Sequence, residues 1–398
     1  MAEWIFWVSA LLLLHTYFFY PLLLVLIDAA HQAVGNLRFI MSGDERRKPR
    51  AVDVAPPVSL VVAAYNEESC IAEKVKNSLA LDYPADRFEL LIGSDGSTDR
   101  TNGIVAACAQ ADSRVRLSVA DRAGKTTVLN RCIPDAKGDI VILSDANTMI
   151  DAAAVKKLVR HFRDPEVGVV VGKLKLFNPT KKDYEESAYW TYESLIKFYE
   201  GKRGAVMGAN GGLYAIRRSL FTQLPPGTIV DDFVIPLRIL ERGFKVLYDP
   251  EAVAEEETTE DYGKEFGRRA RIAAGNFQSL RMLPGLLSPA AGFRAFAFWS
   301  HKVLRWTAPA LMVFALMANA VLALVGSPLY FGLLLLQGLF YGLALMGKGG
   351  LRAPGPVRRA AQVAYYFVSM NAALAVGFWR FLRNSQRAAW DRTARPAH

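Results

Sequence analysis

From Trp306 to Gly347 the chain runs 42 residues without a charged side chain, and Gly326-Ser327-Pro328 divides the run in two. A helix that crosses a bilayer takes about 20 apolar residues. The run therefore predicts two membrane helices joined by a tight turn. A second uncharged run, Trp4 to Ile27, lies near the other end, and a third spans Ala360 to Trp379. No basic residue precedes Trp4, and the apolar stretch is too long for a cleaved signal. The expectation is a retained helix running from outside to inside, with His15 and Pro21 accommodated within it.

The region between these runs has a different character. The 398-residue chain is 52% hydrophobic yet 22% charged, which fits a catalytic domain fastened to a membrane better than a transporter. Its net charge of +10 collects beside the apolar runs, at Arg46, Arg47, Lys48 and Arg50 and again at Arg358 and Arg359. That distribution reads as cytoplasmic flanks drawn to anionic membrane lipid, not as a nucleic-acid surface. Three cysteines, Cys70, Cys108 and Cys132, form no CxxC pair and are odd in number, so a disulfide framework is not expected. Five histidines without an HxxxH spacing give no zinc site.

Six segments follow from these shifts: an N-terminal transmembrane helix over 1–30, a basic connector over 31–55, a cytoplasmic catalytic domain over 56–260, interfacial helices over 261–301, a transmembrane pair over 302–347, and a third C-terminal apolar helix with a basic tail over 348–398. Within the catalytic segment, short apolar runs read as buried strands at 58–63, 88–92, 115–119 and 139–143, with helical stretches at 68–79, 100–110 and 125–132 between them. Strands alternating with helices predict an α/β doubly wound sheet, whose ligands gather at the carboxyl ends of its strands. The polar clusters fall at those ends: Tyr65-Asn66-Glu67, then Asp95, then Asp145 with Asn147. Farther on, 167–176 reads as a strand and 184–200 as an aromatic-rich helix. A Gly-rich loop at 208–212 leads to 213–217, a helix follows Asp231-Asp232, and 244–249 is the last strand. The apolar stretch Phe293–Trp299 reads as interfacial.

The topology contains one conflict. With the catalytic domain inside, a spanning helix at 360–379 sends Arg380, Arg383, Arg387, Arg392 and Arg395 outside, against the charge bias of membrane proteins.

Each acidic motif has two readings. Asp145-Ala-Asn147 either caps a helix at Thr148 or offers hard oxygen ligands to a divalent cation bridging a diphosphate. Asp95-Gly-Ser-Thr-Asp99 is either a turn in which Asp99 caps the next helix, or a site where Asp95 holds a nucleotide base or ribose. Tyr65, Asn66 and Glu67 would cradle the same nucleotide. Lys125 supplies a cation for phosphate, but residue 119 is Val, so GxxxxGK[ST] is absent and a P-loop is excluded. Asp231-Asp232 either favours the dipole of a helix N-terminus or removes a proton from an attacking hydroxyl. Arg268, Arg269 and Arg271 either neutralise a departing diphosphate or meet lipid headgroups.

As an ordered set, VSLVVAAYNE at 58–67, Asp95 with its GST, Lys125, SDAN at 144–147, GGLYAIRRS at 211–219 and VDD at 230–232 resemble the family 2 glycosyltransferases. The similarity is to their membrane-bound branch, which includes cellulose, hyaluronan, chitin-oligosaccharide and poly-N-acetylglucosamine synthases. It covers residues 56–300 well and the flanking helices in outline. The resemblance implies a GT-A fold, a mixed doubly wound sheet flanked by transmembrane helices, and an inverting transferase. It implies a nucleotide sugar, usually UDP-linked, and Mg²⁺ or Mn²⁺ as cofactor. Ala64, Tyr65, Asn66, Glu67, Asp95, Lys125 and Asp145 would bind the nucleotide sugar, and Asp145 and Asn147 the metal. Asp232 matches the last acid of the TED motif, the proposed base. Gly211, Gly212, Arg268, Arg269 and Arg271 would face the leaving group and acceptor, Arg271 matching the Arg of QxxRW.

Two departures stand out. The DxD metal motif is Asp145-Ala-Asn147, with one carboxylate fewer, and QxxRW is Arg268-Arg-Ala-Arg271-Ile272, without its Gln and Trp. The second departure bears on long-chain polymerisation and not on sugar transfer itself. The acceptor expected is a growing glycan, with a lipid acceptor of a single sugar as the alternative, and a non-catalytic transport or scaffold subunit as the third reading.

Overall fold

The computed structural model describes residues 1–42, 55–177, 186–257, 262–349 and 354–386. The basic residues Arg46, Arg47, Lys48, Arg50, Arg387, Arg392 and Arg395 lie outside the described residues. The chain divides into two compact units, one of residues 1–22, 260–281 and 298–386, the other of residues 23–259 with 282–297.

The first helix, α1 (Ala2–Ser42), is one continuous helix of 41 residues. It does not stop where the apolar run ends at Ile27. Residues 28–42 mix polar side chains with apolar ones and contain no proline, so nothing there breaks the helix. The connector expected from residue 31 is thus helical through Ser42.

The second unit carries the sheet. Its strands are β1 (Val58–Ala64), β2 (Phe88–Asp95), β3 (Val115–Ala120), β4 (Ile140–Asp145), β5 (Thr148–Ile150), β6 (Val167–Phe177), β7 (Tyr214–Arg217) and β8 (Lys245–Glu257). Helices α2 (Ile71–Leu79), α3 (Thr101–Ala111), α4 (Lys125–Asp135), α5 (Ala154–Val159), α6 (Glu186–Lys202) and α7 (Asp231–Glu241) cover it. The strand order is β3-β2-β1-β4-β7-β6-β8-β5. The first four are parallel, β7 runs antiparallel to both neighbours, and β5 runs antiparallel to β8. The sheet is therefore mixed, a GT-A arrangement.

Every residue of β1 and β2 is buried, which is why those segments read as unbroken apolar runs. Register then fixes the chemistry. Ala63 stands opposite Asp145, and Ala64 opposite Ser94, so the carboxyl ends of β1, β2 and β4 finish side by side. The order reverses at β1, where a doubly wound sheet opens a crevice for ligands.

The first unit gathers helix α8 (Tyr262–Leu280), the apolar helix α9 (Phe293–Leu324) from Phe298 onward, the apolar helices α10 (Pro328–Lys348) and α11 (Gly355–Leu382), and the start of α1. By length and composition, α1, α9, α10 and α11 are each able to cross a membrane. The stretch 293–299, expected in the interface, is continuous with the span that follows it. Small residues set the helix packing: a Cβ on Gly377 would stand 2.4 Å from Ala273 Cβ and 2.6 Å from the Ala270 carbonyl, so α11 and α8 touch backbone to backbone there. Two π-helical turns, His15–Phe19 and Phe298–Val303, are tied together by Thr16 Oγ1 donating to the Ser300 carbonyl at 2.6 Å.

Candidate active site

Asp95 ends β2 and is 4% exposed. Its Oδ1 accepts from the backbone amides of Ala123 at 2.7 Å and Gly124 at 2.9 Å. The carboxylate thereby shapes the loop that leads into α4. Gly96, at φ +68°, is required by the same contact, since a Cβ there would meet the Arg122 amide nitrogen at 2.7 Å. The loop sets the Arg122 guanidinium over the Tyr65 ring, 3.8 Å from its centroid, and in contact with the Tyr65 hydroxyl. Arg122 carried no signal in the sequence beyond being basic.

The Tyr65-Asn66-Glu67 segment is stitched to the turn after Asp95. The Asn66 amide donates to Ser97 Oγ at 3.1 Å, Asn66 Oδ1 accepts from the Thr98 amide at 2.8 Å, and the Glu67 amide donates to Thr101 Oγ1 at 2.9 Å. Asn66 adopts φ 54°, a left-handed conformation that asparagine tolerates. Asp99 accepts from the amide of Thr101, the first residue of α3, at 2.9 Å and from the Glu68 amide at 3.1 Å, while the N-cap position itself is Arg100. Ala64 is fully buried at the end of β1.

Asp145, at the end of β4, meets residues from two distant helices. Lys125, the first residue of α4, places Nζ 2.7 Å from Asp145 Oδ1 and 3.6 Å from Oδ2 of Asp231, the first residue of α7. Burial penalises the ammonium, but the charges of Asp145, Asp231 and Asp232 outweigh it and hold the lysine well above its ordinary range. Burial raises the Asp231 carboxyl against the pull of Lys125. Asp232 is pushed up to about 6, first by burial and then by the Asp231 charge, with Lys125 and Lys197 opposing.

The Gly-rich loop closes over Asp145. A Cβ on Gly211 would lie 2.8 Å from Asp145 Oδ2, so glycine leaves this carboxylate oxygen room. The Gly212 carbonyl accepts from Ser144 Oγ at 2.7 Å. Lys197 on α6, 5% exposed, donates to Asn210 Oδ1 in the same loop at 2.6 Å and contributes to the field around Asp232. Sequence reasoning missed Lys197; its only signal was a lysine among the aromatics of that helix.

Asn147 does not precede a helix. Thr148–Ile150 forms β5 against β8, with Thr148 opposite Glu256, and Asn147 Nδ2 donates to Glu256 Oε1 at 3.0 Å. The capping reading is therefore replaced by a strand, because β8 continues to Glu257 beyond the expected end at Asp249 and supplies a pairing edge. Beneath this turn, Lys74 is fully buried and donates to Ser144 Oγ at 2.8 Å and to the Thr148 carbonyl. Burial pulls its pKa down to about 7 although Asp145, Cys70 and Glu256 favour the charge.

Asp95, Lys125, Asp145, Asp231 and Asp232 thus come together in the second unit. Arg268, Arg269 and Arg271 belong to α8 in the first. Arg268 and Arg269 both pair with Glu265, at 2.9 and 2.6 Å, and Arg269 lies 5.6 Å from the Tyr366 ring centroid. Among the described residues no group of three or more His, Cys, Asp or Glu side chains is arranged to hold a metal ion.

Residues 56–275 match the family described as glycosyltransferase like family 2. The chain belongs to that family and is a glycosyltransferase. It is 27% identical over 235 residues to the probable glycosyltransferase YdaM of Bacillus subtilis, covering 56% of this chain and 55% of that one. It is 26% identical over 273 residues to the poly-beta-1,6-N-acetyl-D-glucosamine synthase of Staphylococcus aureus, covering 66% of this chain and 65% of that one. The chain thus spans roughly half to two thirds of the length of these relatives. Among solved structures it is similar to the mannosyltransferase PcManGT from Pyrobaculum calidifontis, in complex with GDP-Man and Mn²⁺. That likeness has a TM-score of 0.61 and 24% identity, and covers 92% of this chain and 99% of that one.

Proposed function

We propose that this chain is a membrane-embedded inverting glycosyltransferase that moves a sugar from a nucleotide sugar, UDP-linked, to a hydroxyl of a glycan acceptor. The observation that carries this is the meeting of Lys125, Asp145 and Asp231-Asp232 at one end of the sheet. Asp232, whose pKa of about 6 leaves it ionised yet basic near neutral pH, takes the proton of the attacking hydroxyl. The new bond forms between that oxygen and the anomeric carbon, on the face opposite the nucleotide. The bond from the anomeric carbon to the phosphate oxygen breaks, and its electron pair leaves with the nucleoside diphosphate. Lys125 offers its ammonium to that charge. The Tyr65–Arg122 pair and the loop held by Asp95 supply a flat cationic surface for the base.

The residues present fit a divalent cation. Asp145 is one-third exposed at its side chain, Gly211 leaves room at its Oδ2, and Asn147 adds an amide oxygen. Two protein oxygen ligands would suit Mg²⁺ or Mn²⁺, which bind through one or two side chains and leave positions for other ligands. Asp145 and Asn147 would hold the ion, which when bound neutralises charge on the departing diphosphate.

Transfer takes place at the cytoplasmic face of a bacterial inner membrane, with the apolar helices as anchor and as a route for product. A second reading, a single sugar added to a lipid, is favoured by the engagement with Glu265 of Arg268, which stands where processive synthases carry the Gln of QxxRW. The test is release of UDP or GDP from a panel of nucleotide sugars by the purified protein, with and without Mn²⁺. Release from none of them, with any glycan or lipid extract added, refutes transfer and favours a scaffold subunit. A product ladder against a single organic-extractable product separates the two acceptors.

A further inference from the structure

Asn147 lies in the turn that follows Asp145, and its amide meets a carboxylate from a distant strand. Antiparallel pairing of β5 with β8 sets Thr148 opposite Glu256. Glu256 Oε1 accepts from the neighbouring Asn147 Nδ2 at 3.0 Å, across 109 residues of chain. Other bonds already fix the rest of the turn. Lys125 holds Asp145 Oδ1 at 2.7 Å. Lys74 donates to Ser144 Oγ at 2.8 Å and to the Thr148 carbonyl. Asn77 grips Ile150, accepting from its amide at 2.9 Å and donating to its carbonyl at 3.0 Å. The freedom left to settle is which way the Asn147 amide faces.

That choice has chemical weight. The oxygen and nitrogen of a carboxamide are close in size, so shape alone does not separate the two orientations. An ionised carboxylate only accepts hydrogen bonds, so Glu256 selects the one with Nδ2 toward itself and Oδ1 turned away. Oδ1 accepts no hydrogen bond among the described residues. With the amide reversed, the side chain would offer a cation two N–H donors and no oxygen. Aspartate at 147 would press a second carboxylate against Glu256, a like-charge contact. Asparagine avoids that contact and still presents an oxygen, while the negative charge stands behind it on Glu256.

We infer that Glu256 is a positioning residue for the divalent cation, its carboxylate holding the Asn147 amide so that Oδ1 serves as the neutral ligand beside Asp145. The inference rests on the reading that Asp145 and Asn147 hold the ion. Backbone pairing of β5 with β8 does not call on the Glu256 side chain, so its bond to Asn147 is an addition to the sheet. Glu256 acts through Asn147 and touches neither the ion nor the sugar.

The experiment measures Mn²⁺ affinity at saturating UDP, or GDP if the active donor carries it, from the electron paramagnetic resonance of free Mn²⁺. It compares the full-length protein in detergent with Glu256→Gln, Asn147→Ala and the double variant, and reads each thermal midpoint in EDTA. Glutamine can donate as well as accept and no longer selects the amide's orientation, so Glu256→Gln should weaken Mn²⁺ binding about tenfold. Its midpoint in EDTA should stay within about 5 °C of the unaltered protein. Asn147→Ala should weaken Mn²⁺ at least as much, and adding Glu256→Gln to it should change the affinity by less than about twofold, since nothing is left to orient. A loss under about threefold in Glu256→Gln overturns the inference. So do losses that multiply in the double variant, which would mean that Glu256 acts on the ion directly. A midpoint in EDTA lower by more than about 5 °C overturns it too, by making Glu256 a strut of the fold. If Asn147→Ala binds Mn²⁺ as tightly as the unaltered protein, the assignment of Asn147 as ligand falls and this inference with it. If Asn147→Ala is weakened and Glu256→Gln is not, only the inference about Glu256 fails.

Discussion

Replacing Asp232 with asparagine should remove transfer and, above neutral pH, make the protein more stable. The carboxyl is raised from 3.8 to about 6 by burial and by the neighbouring Asp231. Each pKa unit corresponds to about 1.4 kcal/mol between the two protonation states, so the shift sets an upper bound of about 3 kcal/mol. Asp232 is only partly buried, and solvent screening brings the expected gain to about 1–2 kcal/mol. The pH dependence has a definite sign. Below about pH 4 the carboxyl is neutral in both folded and unfolded chains, and aspartate and asparagine are equivalent. As pH rises from about 4 to about 6 the unfolded chain ionises first, so the unaltered protein loses stability relative to the variant. Above about pH 7 the difference is constant. Thermal unfolding of the two proteins at pH 4 and pH 7.5 reads this directly, with a midpoint gain of about 2–8 °C for Asp232→Asn at the higher pH. Transfer should fall by about 10²- to 10⁴-fold, the usual worth of a general base. A variant no more stable at pH 7.5 than the unaltered protein, or equally favoured at pH 4 and 7.5, would refute the claim that Asp232 is held ionised at a cost.

Three further outcomes follow from the same cluster. Lys125→Met leaves Asp145 and Asp231 without their shared ammonium, and the loss, discounted for partial exposure, should be about 2–4 kcal/mol at pH 7.5, shrinking as the pH is lowered and the carboxyls protonate; a midpoint unaffected by the change sinks this. Gly211→Ala puts a methyl 2.8 Å from Asp145 Oδ2, so kcat/KM should drop about 10- to 100-fold with the fold intact, and unchanged kinetics would mean Asp145 is not used. Lys74→Met strips Ser144 Oγ and the Thr148 carbonyl of a buried donor, and chemical unfolding should register a loss of about 1–3 kcal/mol; equal or greater stability would show that the buried charge costs more than its bonds return.

How far the site was legible follows from which forces are local. Asp95 and Asp145 could be placed because each directly ends a strand buried on both faces, and such strands are continuous apolar runs that stop where the chain becomes polar. The double acid at 231–232 could be placed at a helix start for the same kind of reason, since carboxylates favour that end of the dipole. Asn66 read as part of a nucleotide cradle and Asp99 as a helix cap, and only their hydrogen bonds across two loops reveal that they knit the loops together.

The sequence by itself determined the apolar helices, the alternation of buried strands and helices in the first half of the sheet, and the strand ends that carry acids, because burial and backbone periodicity act over a few residues. Only the tertiary structure decided that Lys125 is shared by Asp145 and Asp231, that Arg122 lies over Tyr65, that Lys197 reaches the Gly-rich loop, and that Thr148–Ile150 pairs with β8. Those contacts join segments far apart in the chain. Sheet register and helix packing create them, and no local pattern of residues encodes either.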